Sequence, residues 1–287
     1  YKRQAKYLHD SLPNATYVGF TGTPVDGTIE VFGGVVDAYT MTEAVKDGIT
    51  VNLVYDGRAA KVMLNQDKVR QIEEYYAQCE LEGANEHQVE ESQKAVAKME
   101  VIIGDPDRLR AVAEDFIKHY ETRVAEGATV AGKAMFVCSN RNIAYDFYKI
   151  VKELRPEWTE KKICDDGVVL SEKDKKELKP MEKIKLVMTR NKDDEKDLFD
   201  MLGTKEDRKE FDRQFKNPKS NFKIAIVVDM WLTGFDVPEL DTIYIDKPIQ
   251  QHTLIQTISR VNRVCEGKDK GLIVDYIGCL LYTSDAA

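Results

Sequence analysis

The feature that most constrains the fold is a series of short apolar runs separated by helical patterns between residues 133 and 276. The runs are KAMFV, IKLVM, FKIAIVV, LDTIYI and GLIVDY, which begin at residues 133, 184, 222, 240 and 271. Apolar runs without regular polar alternation predict strands that are covered on both faces. Strands that alternate with helices predict an α/β fold in which a parallel sheet is flanked by helices.

Helical patterns fill the intervals between these strands. One helix is predicted from a cap at Ser139-Asn140 to Leu154, a second over Glu206–Phe215 and a third over Leu254–Val264. A long helical stretch over 68–125 precedes the series, and its last helix is predicted to start at Asp105-Pro106. The sheet domain is therefore expected to carry a helical insertion or a helical prefix.

Two further strands are predicted nearer the start of the chain. The run Thr16–Thr21 indicates a buried strand, and Ile49–Tyr55 indicates another. Between them, a short helix is predicted after Thr40 or Thr42 as N-cap, closed by Gly48. The glycine-rich segment before that helix is typical of a linker.

Composition limits the classes of protein to which the chain can belong. Its 287 residues favour about two domains, and 42 basic against 50 acidic residues give a net charge of −8. A small free-standing DNA-binding domain is usually basic, so only local contact with DNA fits this balance. There is no run of about 18 apolar residues, so no transmembrane helix is predicted.

The five cysteines argue against a zinc site. No Cys-x-x-Cys pair occurs, and none of the four histidines has ligand spacing from a cysteine. Most of them are interpreted as buried thiols of a cytoplasmic protein, and no metal-binding residue is predicted.

One string on the third predicted helix points to nucleotide chemistry. In the sequence QTISRVNR, which begins at Gln256, the side chains of Arg260 and Arg263 are three residues apart and would share a helix face. Two guanidinium groups suit a triphosphate on which charge develops. The alternative is an ordinary surface helix paired with acids, and this string alone would favour that alternative.

A second string changes that balance. Residues 228–238 follow a predicted buried strand, and ligands of parallel sheets bind beyond the carboxyl ends of strands. Within it, Gly234 would permit close approach of a phosphate or sugar, and Asp236 could accept a bond from a ribose hydroxyl. A Gly-Asp turn is common, but the two strings together favour a nucleotide site.

Four strings together resemble the motifs of superfamily 2 helicases. GFTGTP from residue 19 resembles motif III, MFVCSNR from 135 motif IV, TGFD from 233 motif V and QTISRVNR from 256 motif VI. The longer stretches KIKLVMTRNKDD, FKIAIVVDMWLTGFDVPELDTIYIDKP, LIQTISRVNRV and GLIVDYIG more closely resemble the restriction (R, HsdR) subunit of type I restriction-modification enzymes. The resemblance extends over nearly the whole chain.

The resemblance implies roles for individual residues. Arg260 and Arg263 would act on the γ-phosphate of ATP, with Gln256 opening the motif. Gly234 and Asp236 would contact the nucleotide. The residues that would contact DNA, or couple the state of ATP to DNA binding, are Thr21, Thr23, Ser139, Arg141 and Thr233.

The resemblance also implies cofactors, partners and a cellular location. The motor would use ATP and Mg²⁺, act on double-stranded DNA, and assemble with methyltransferase (M) and specificity (S) subunits in the cytoplasm. Neither Gly-x-x-x-x-Gly-Lys-Ser/Thr nor Asp-Glu-x-His occurs in the chain. We therefore expect the ligands of Mg-ATP and the nuclease acids to lie outside these residues, and the chain alone to hydrolyse no ATP and cut no DNA.

The implied layout has two RecA-like lobes. Residues 1–25 would end the first motor domain, 26–41 would form a linker, and 42–278 would form the second domain with its insertion at 68–125. The tail 279–287 departs from the family pattern, and the first residue is not Met, so we expect a piece of a longer protein. Two alternatives remain open: another superfamily 2 helicase or translocase, and a non-catalytic RecA-like binding lobe.

Overall fold

A computed structural model describes residues 7, 10–12, 14–20, 32–58, 99–249 and 251–277. Within these ranges the strands form one sheet, in which every neighbouring pair is parallel. The strands are β1 Asn52–Gly57, β2 Lys133–Cys138, β3 Ile184–Val187, β4 Ile224–Val227, β5 Leu240–Asp246 and β6 Lys270–Asp275. Their order across the sheet is β1-β6-β5-β2-β4-β3.

Helices connect these strands. The helices are α1 Met41–Lys46, α2 Pro106–Ala125, α3 Arg141–Leu154, α4 Glu172–Glu177, α5 Lys196–Leu202, α6 Lys205–Lys216 and α7 Gln251–Ile258, with a 3₁₀ turn at Pro156–Thr159. Residues 99–103 are also helical and lead into α2. The predicted α/β class is confirmed, and so are the five strands read from the apolar runs.

The core lies between the central strands and α2 and α3. All residues of β2, β3, β4 and β5 are buried, whereas the edge strand β1 is largely exposed or half-buried. Phe136 stacks on Phe147 with ring centroids 4.0 Å apart, and Phe116 meets Tyr244 edge-on at 4.7 Å. Phe116 also contacts Phe136 and Phe147, so these rings form one cluster that holds α2 and α3 to β2 and β5.

The helix starts follow from local capping. Thr40 and Glu43 form a reciprocal capping box at α1, and Asn140 accepts a bond from the Ile143 amide at α3. Asp105 caps α2, with Pro106 at its first position. These bonds satisfy amides that would otherwise have no partner, so the predicted helix starts are confirmed.

A buried ion pair joins α2 to the carboxyl end of β5. The side chains of Arg108 and Asp246 are 1% and 0% exposed, and Arg108 Nη2 lies 2.5 Å from Asp246 Oδ1. The same guanidinium donates to the carbonyls of Ile103, at 3.1 Å, and Tyr276, at 3.4 Å. The pair therefore links the helical segment to two neighbouring strands.

The strand expected over Thr16–Thr21 is wrong as far as the structure describes it. Residues 16–20 have no regular secondary structure, and Val18 and Phe20 are exposed by 68% and 94%. A strand is stable only when its backbone groups bond to a neighbour, and no described strand pairs with this run. Residues 68–98 of the predicted insertion, and the tail 279–287, lie outside the described residues.

His119 makes stability depend on pH. Its imidazole is largely buried, and Nδ1 lies 3.0 Å from the Tyr244 hydroxyl. Burial, together with the positive charges of Arg58 and Arg123, lowers the pKa of His119 from 6.5 to about 4. Between these values the unfolded chain binds a proton that the folded chain does not bind. We therefore expect the free energy of unfolding to fall by up to about 3 kcal/mol as the pH drops from 6.5 to 4.

The measurement is urea unfolding of the wild-type chain and His119→Gln at pH 7 and pH 5. Glutamine has no titrating ring and keeps a polar group near Tyr244, so its pH slope is expected to be shallower. An imidazole signal of His119 that titrates near pH 6.5 in the folded chain would contradict the expectation.

Within the part of the chain that the structure describes, none of the helices has the length and apolar character needed to cross a membrane.

Candidate nucleotide-binding site

The segment 256–263, called here the motif VI segment, begins on a helix and leaves it. Helix α7 ends at Ile258, so the predicted helix to Val264 is too long. Single-turn bonds follow, from the Arg260 amide to Thr257 and from the Val261 amide to Ile258. The chain then becomes extended, and the Asn262 carbonyl accepts a hydrogen bond from the Val51 amide at 2.9 Å.

This extension separates the two arginines that were predicted to share a helix face. Arg263 forms an isolated antiparallel bridge with Thr50, just before β1 begins. Arg260 remains in the turn that ends the helix. Pairing with the segment before β1 replaces the last helical turn, so tertiary contacts override the local pattern here.

Arg260 bonds directly to residues 228–238, called here the motif V loop. Its Nη1 donates to the Phe235 carbonyl at 2.7 Å, its Nε to the Gln256 carbonyl at 3.1 Å and its Nη2 to Ser259 Oγ at 3.1 Å. Burial and the nearby charge of Arg263 lower the pKa of Arg260, while Asp236 opposes that shift. The two predicted strings therefore meet in space.

The motif V loop is shaped by aromatic packing. The rings of Trp231 and Phe235 stack with centroids 4.1 Å apart, and both pack against Phe215. Trp231 has φ +69°, a left-handed conformation that is unusual for a bulky residue. Such strain persists where surrounding packing enforces it, often next to a functional site.

Gly234 and Asp236 lie on the exposed side of this loop. Gly234 has φ +69°, and no atom lies within 4 Å of the position that a Cβ would occupy. Asp236 Oδ1 is 3.4 Å from Arg263 Nε, and both side chains are more than half exposed. Thr233 is exposed as well. An open backbone beside two guanidinium groups is a suitable environment for phosphate.

The structure places Ser139 and Arg141 elsewhere. Both follow the carboxyl end of β2, whereas Arg263 lies beside the amino ends of β1 and β6. Ser139 Oγ donates to the Asp246 carbonyl at 3.0 Å, and the Arg141 guanidinium pairs with Asp194. Thr21 and Thr23 lie outside the described residues.

The sequence suggested that the motif V loop lies at the carboxyl ends of the strands. In the structure the loop extends beyond that edge of the sheet. Asp229 lies at that edge, where Lys247 Nζ bonds to it and to the Val228 carbonyl. The loop then returns toward the amino end of β5, where Lys268 Nζ donates to the carbonyls of Pro238 and Leu240 at 2.9 and 2.6 Å. Burial lowers the pKa of Lys268 to about 8.

Sequence reasoning missed several residues that hold the site together. Lys268 ties the end of the motif V loop to the segment after Arg263, and Gly271 lets β6 pass against the Val261 carbonyl. Lys268 belongs to no motif that was recognised, and Gly271 opens the stretch GLIVDYIG, for which no site role was predicted. The only signals available were the Gly267 turn before Lys268 and a glycine at the start of an apolar run.

Within the described ranges, no group of three or more His, Cys, Asp or Glu side chains is arranged to hold a metal ion. The Arg260, Arg263, Gly234 and Asp236 set offers donors and an open backbone that fit nucleotide phosphates. These residues do not by themselves make a magnesium site.

Comparisons with known proteins show the family to which the chain is similar. A family model described as type I restriction enzyme subunit R domain 3 matches residues 130–278, and a SWI2/SNF2 ATPase model matches residues 1–90. The HindI type I restriction enzyme endonuclease subunit of Haemophilus influenzae is 38% identical over 96% of this chain and 24% of its own length. The MjaIXP type I restriction enzyme endonuclease subunit of Methanocaldococcus jannaschii is 36% identical over 97% of this chain and 24% of its own.

A solved structure supports the fold. A fragment described as the HsdR subunit of a type I restriction enzyme from Vibrio vulnificus YJ016 aligns with a TM-score of 0.59 at 13% identity, over 98% of this chain and 43% of that one. The chain spans about a quarter of the length of the curated relatives it matches. Because the model for domain 3 of subunit R matches more than half of its residues, the chain belongs to the type I restriction enzyme subunit R family.

Proposed function

We propose that this chain forms the second RecA-like lobe, and the end of the first, of the ATP-dependent DNA translocase motor in a type I restriction endonuclease R subunit. The observation that carries the proposal is the direct contact between the two nucleotide motifs, where Arg260 bonds to the Phe235 carbonyl beside Arg263 and Asp236. Membership of the family supports it. The family match also favours this subunit over another superfamily 2 helicase.

In the proposed cycle, ATP binds between this lobe and the first lobe. The guanidinium groups of the motif VI segment stabilise the charge on the γ-phosphoryl group as it is transferred to water. The exposed backbone at Gly234 faces the phosphates, and Asp236 accepts a bond from the ribose. Mg²⁺ would neutralise phosphate charge, and its protein ligands are proposed to belong to the first lobe, outside the described residues.

Movement along DNA is proposed to use the other edge of the sheet. Ser139 and Arg141 lie there, and contacts from this edge to phosphates carry no sequence information, as a translocase requires. Thr21, Thr23 and Thr233 would couple the nucleotide state to the grip on DNA. The M and S subunits would supply recognition of the DNA site, and the assembly would act in the cytoplasm.

The test uses the full-length subunit assembled with its M and S partners. The double substitution Arg260→Ala/Arg263→Ala is expected to lower DNA-stimulated ATP hydrolysis by about 10³-fold or more and to abolish triplex displacement on duplex DNA, because an arginine finger contributes about 10³ to 10⁵ in rate. Binding of DNA should persist. The chain alone is expected to show no ATPase activity.

Arg110→Ala is the matched control. This arginine is also exposed and pairs with a carboxylate, Glu153, at 2.9 Å, but it lies on α2 away from the motif V loop. Its turnover should equal that of the wild type. If the double variant translocates normally, the chain is a binding lobe and the motor assignment is wrong.

A further inference from the structure

The two arginines of the motif VI segment differ in how they are held. Each of the three guanidinium nitrogens of Arg260 donates to an acceptor: the carbonyls of Phe235 and Gln256, and the Ser259 hydroxyl. Two of these acceptors are backbone carbonyls. These bonds use three of the five N–H groups of the guanidinium. Rotation of the side chain toward a phosphate would break them, and charged hydrogen bonds are among the stronger ones in proteins.

The carbonyl that Arg260 binds belongs to a well-packed residue. The side chain of Phe235 is buried, and its ring stacks on Trp231. Lys216 of α6 places its Nζ 5.0 Å from the centroid of the Phe235 ring. Arg260 therefore connects the motif VI segment to a packed part of the motif V loop.

Arg263 is held far less tightly. Its side chain is 51% exposed, and the contact that the structure gives it is the 3.4 Å pair with Asp236, which is 61% exposed. Its backbone is fixed by the bridge to Thr50. An exposed ion pair contributes little, so a phosphate, which accepts two bonds from one guanidinium, would displace Asp236 readily.

We propose that the two arginines have different tasks: Arg263 is the arginine that contacts the γ-phosphoryl group, and Arg260 is a positioning residue that holds the motif V loop against the motif VI segment. This inference rests on the proposed function. It differs from the reading in which both arginines contact the phosphate, and it makes separate predictions for conservative substitutions.

The experiment compares Arg260→Lys with Arg263→Lys in the full-length subunit with its M and S partners, measuring kcat and KM for ATP. Lysine at 260 can still donate one bond to the Phe235 carbonyl, so kcat should fall less than about 10-fold. Lysine at 263 lacks the fork that stabilises the transition state, so kcat should fall about 100-fold or more, with KM within about 3-fold.

A second measurement uses chemical rescue. Guanidinium chloride at millimolar concentration should restore part of the activity of Arg263→Ala, because that site is open to solvent. It should not restore Arg260→Ala, because free guanidinium does not tie the segment to the loop. Arg110→Lys, on an exposed ion pair of α2, should match the wild type in both assays.

Two results would overturn the division of tasks. One is a loss of kcat for Arg260→Lys as large as for Arg263→Lys at unchanged KM, and the other is rescue of Arg260→Ala by guanidinium but not of Arg263→Ala. A failure of the proposed function is distinguishable from both, since Arg260→Ala/Arg263→Ala would then leave DNA-stimulated ATP hydrolysis and translocation at the wild-type level.

Discussion

Replacement of Gly271 by alanine is expected to destabilise the chain by about 3 kcal/mol or more, and to disable the motif VI segment at the same time. A Cβ at this position would lie 2.2 Å from the Val261 carbonyl oxygen and 2.7 Å from its carbon. Neither atom belongs to a flexible side chain, so β6 or the motif VI segment must move. Overpacking of this kind costs about 1–3 kcal/mol and sometimes more.

The functional part of this expectation follows from where Val261 lies. Val261 is buried, and in the sequence it lies between Arg260 and Arg263. A shift of its carbonyl would therefore move the backbone that carries both guanidinium groups. Urea unfolding of the chain measures the first effect, and DNA-stimulated ATP hydrolysis by the full-length assembly measures the second. A displacement of catalytic groups by about 1 Å can lower turnover by about 10²-fold.

Gly34→Ala is the matched control for Gly271. Gly34 also has a backbone conformation open to alanine, and nothing lies within 4 Å of its Cβ position. Its unfolding midpoint should stay within experimental error of the wild type. An unchanged midpoint for Gly271→Ala would show that the motif VI segment is not packed against β6 as described.

The second large effect concerns the buried pair of Arg108 and Asp246. Arg108→Met is expected to lower the free energy of unfolding by about 3–5 kcal/mol, because it leaves the Asp246 carboxylate buried without its counter-charge. The carbonyls of Ile103 and Tyr276 would lose a donor as well. Urea unfolding of the purified chain is the measurement.

The double substitution Arg108→Met/Asp246→Val separates the charge from the packing. When both charges are replaced by apolar groups of similar volume, the cost is often small, so the double variant should be clearly more stable than Arg108→Met. Arg110→Met, two residues along on the same helix but exposed, should change stability by less than about 0.5 kcal/mol. If the double variant were less stable than Arg108→Met, the unpaired charge would not be the main cost.

The sheet could be read from the sequence because each strand carries its own signal. Apolar runs without alternation, such as 224–227, predict strands covered on both faces, and the structure buries all four residues. The starts of α1, α2 and α3 were also readable, since capping depends on residues within one turn of the helix. These features need no distant partner.

The candidate site was readable only in part. The chemistry of its residue types pointed to nucleotide phosphates, and Arg260 and Arg263 lie beside Gly234 and Asp236 as the motifs suggested. The prediction that both arginines occupy one helix face was wrong, because Asn262 pairs with Val51, which is 211 positions away in sequence. No local pattern reports such a pairing.

The sequence by itself therefore determined the class of fold, the caps of the helices and the residue types available to bind a nucleotide, because each depends on neighbours a few positions apart. Only the tertiary structure decided which arginine is tied to the Phe235 carbonyl and which is left exposed beside Asp236. It also decided that the charges of Arg108 and Asp246 are buried together. Such contacts depend on chain segments brought together by the packed sheet, and their energies exceed local preferences.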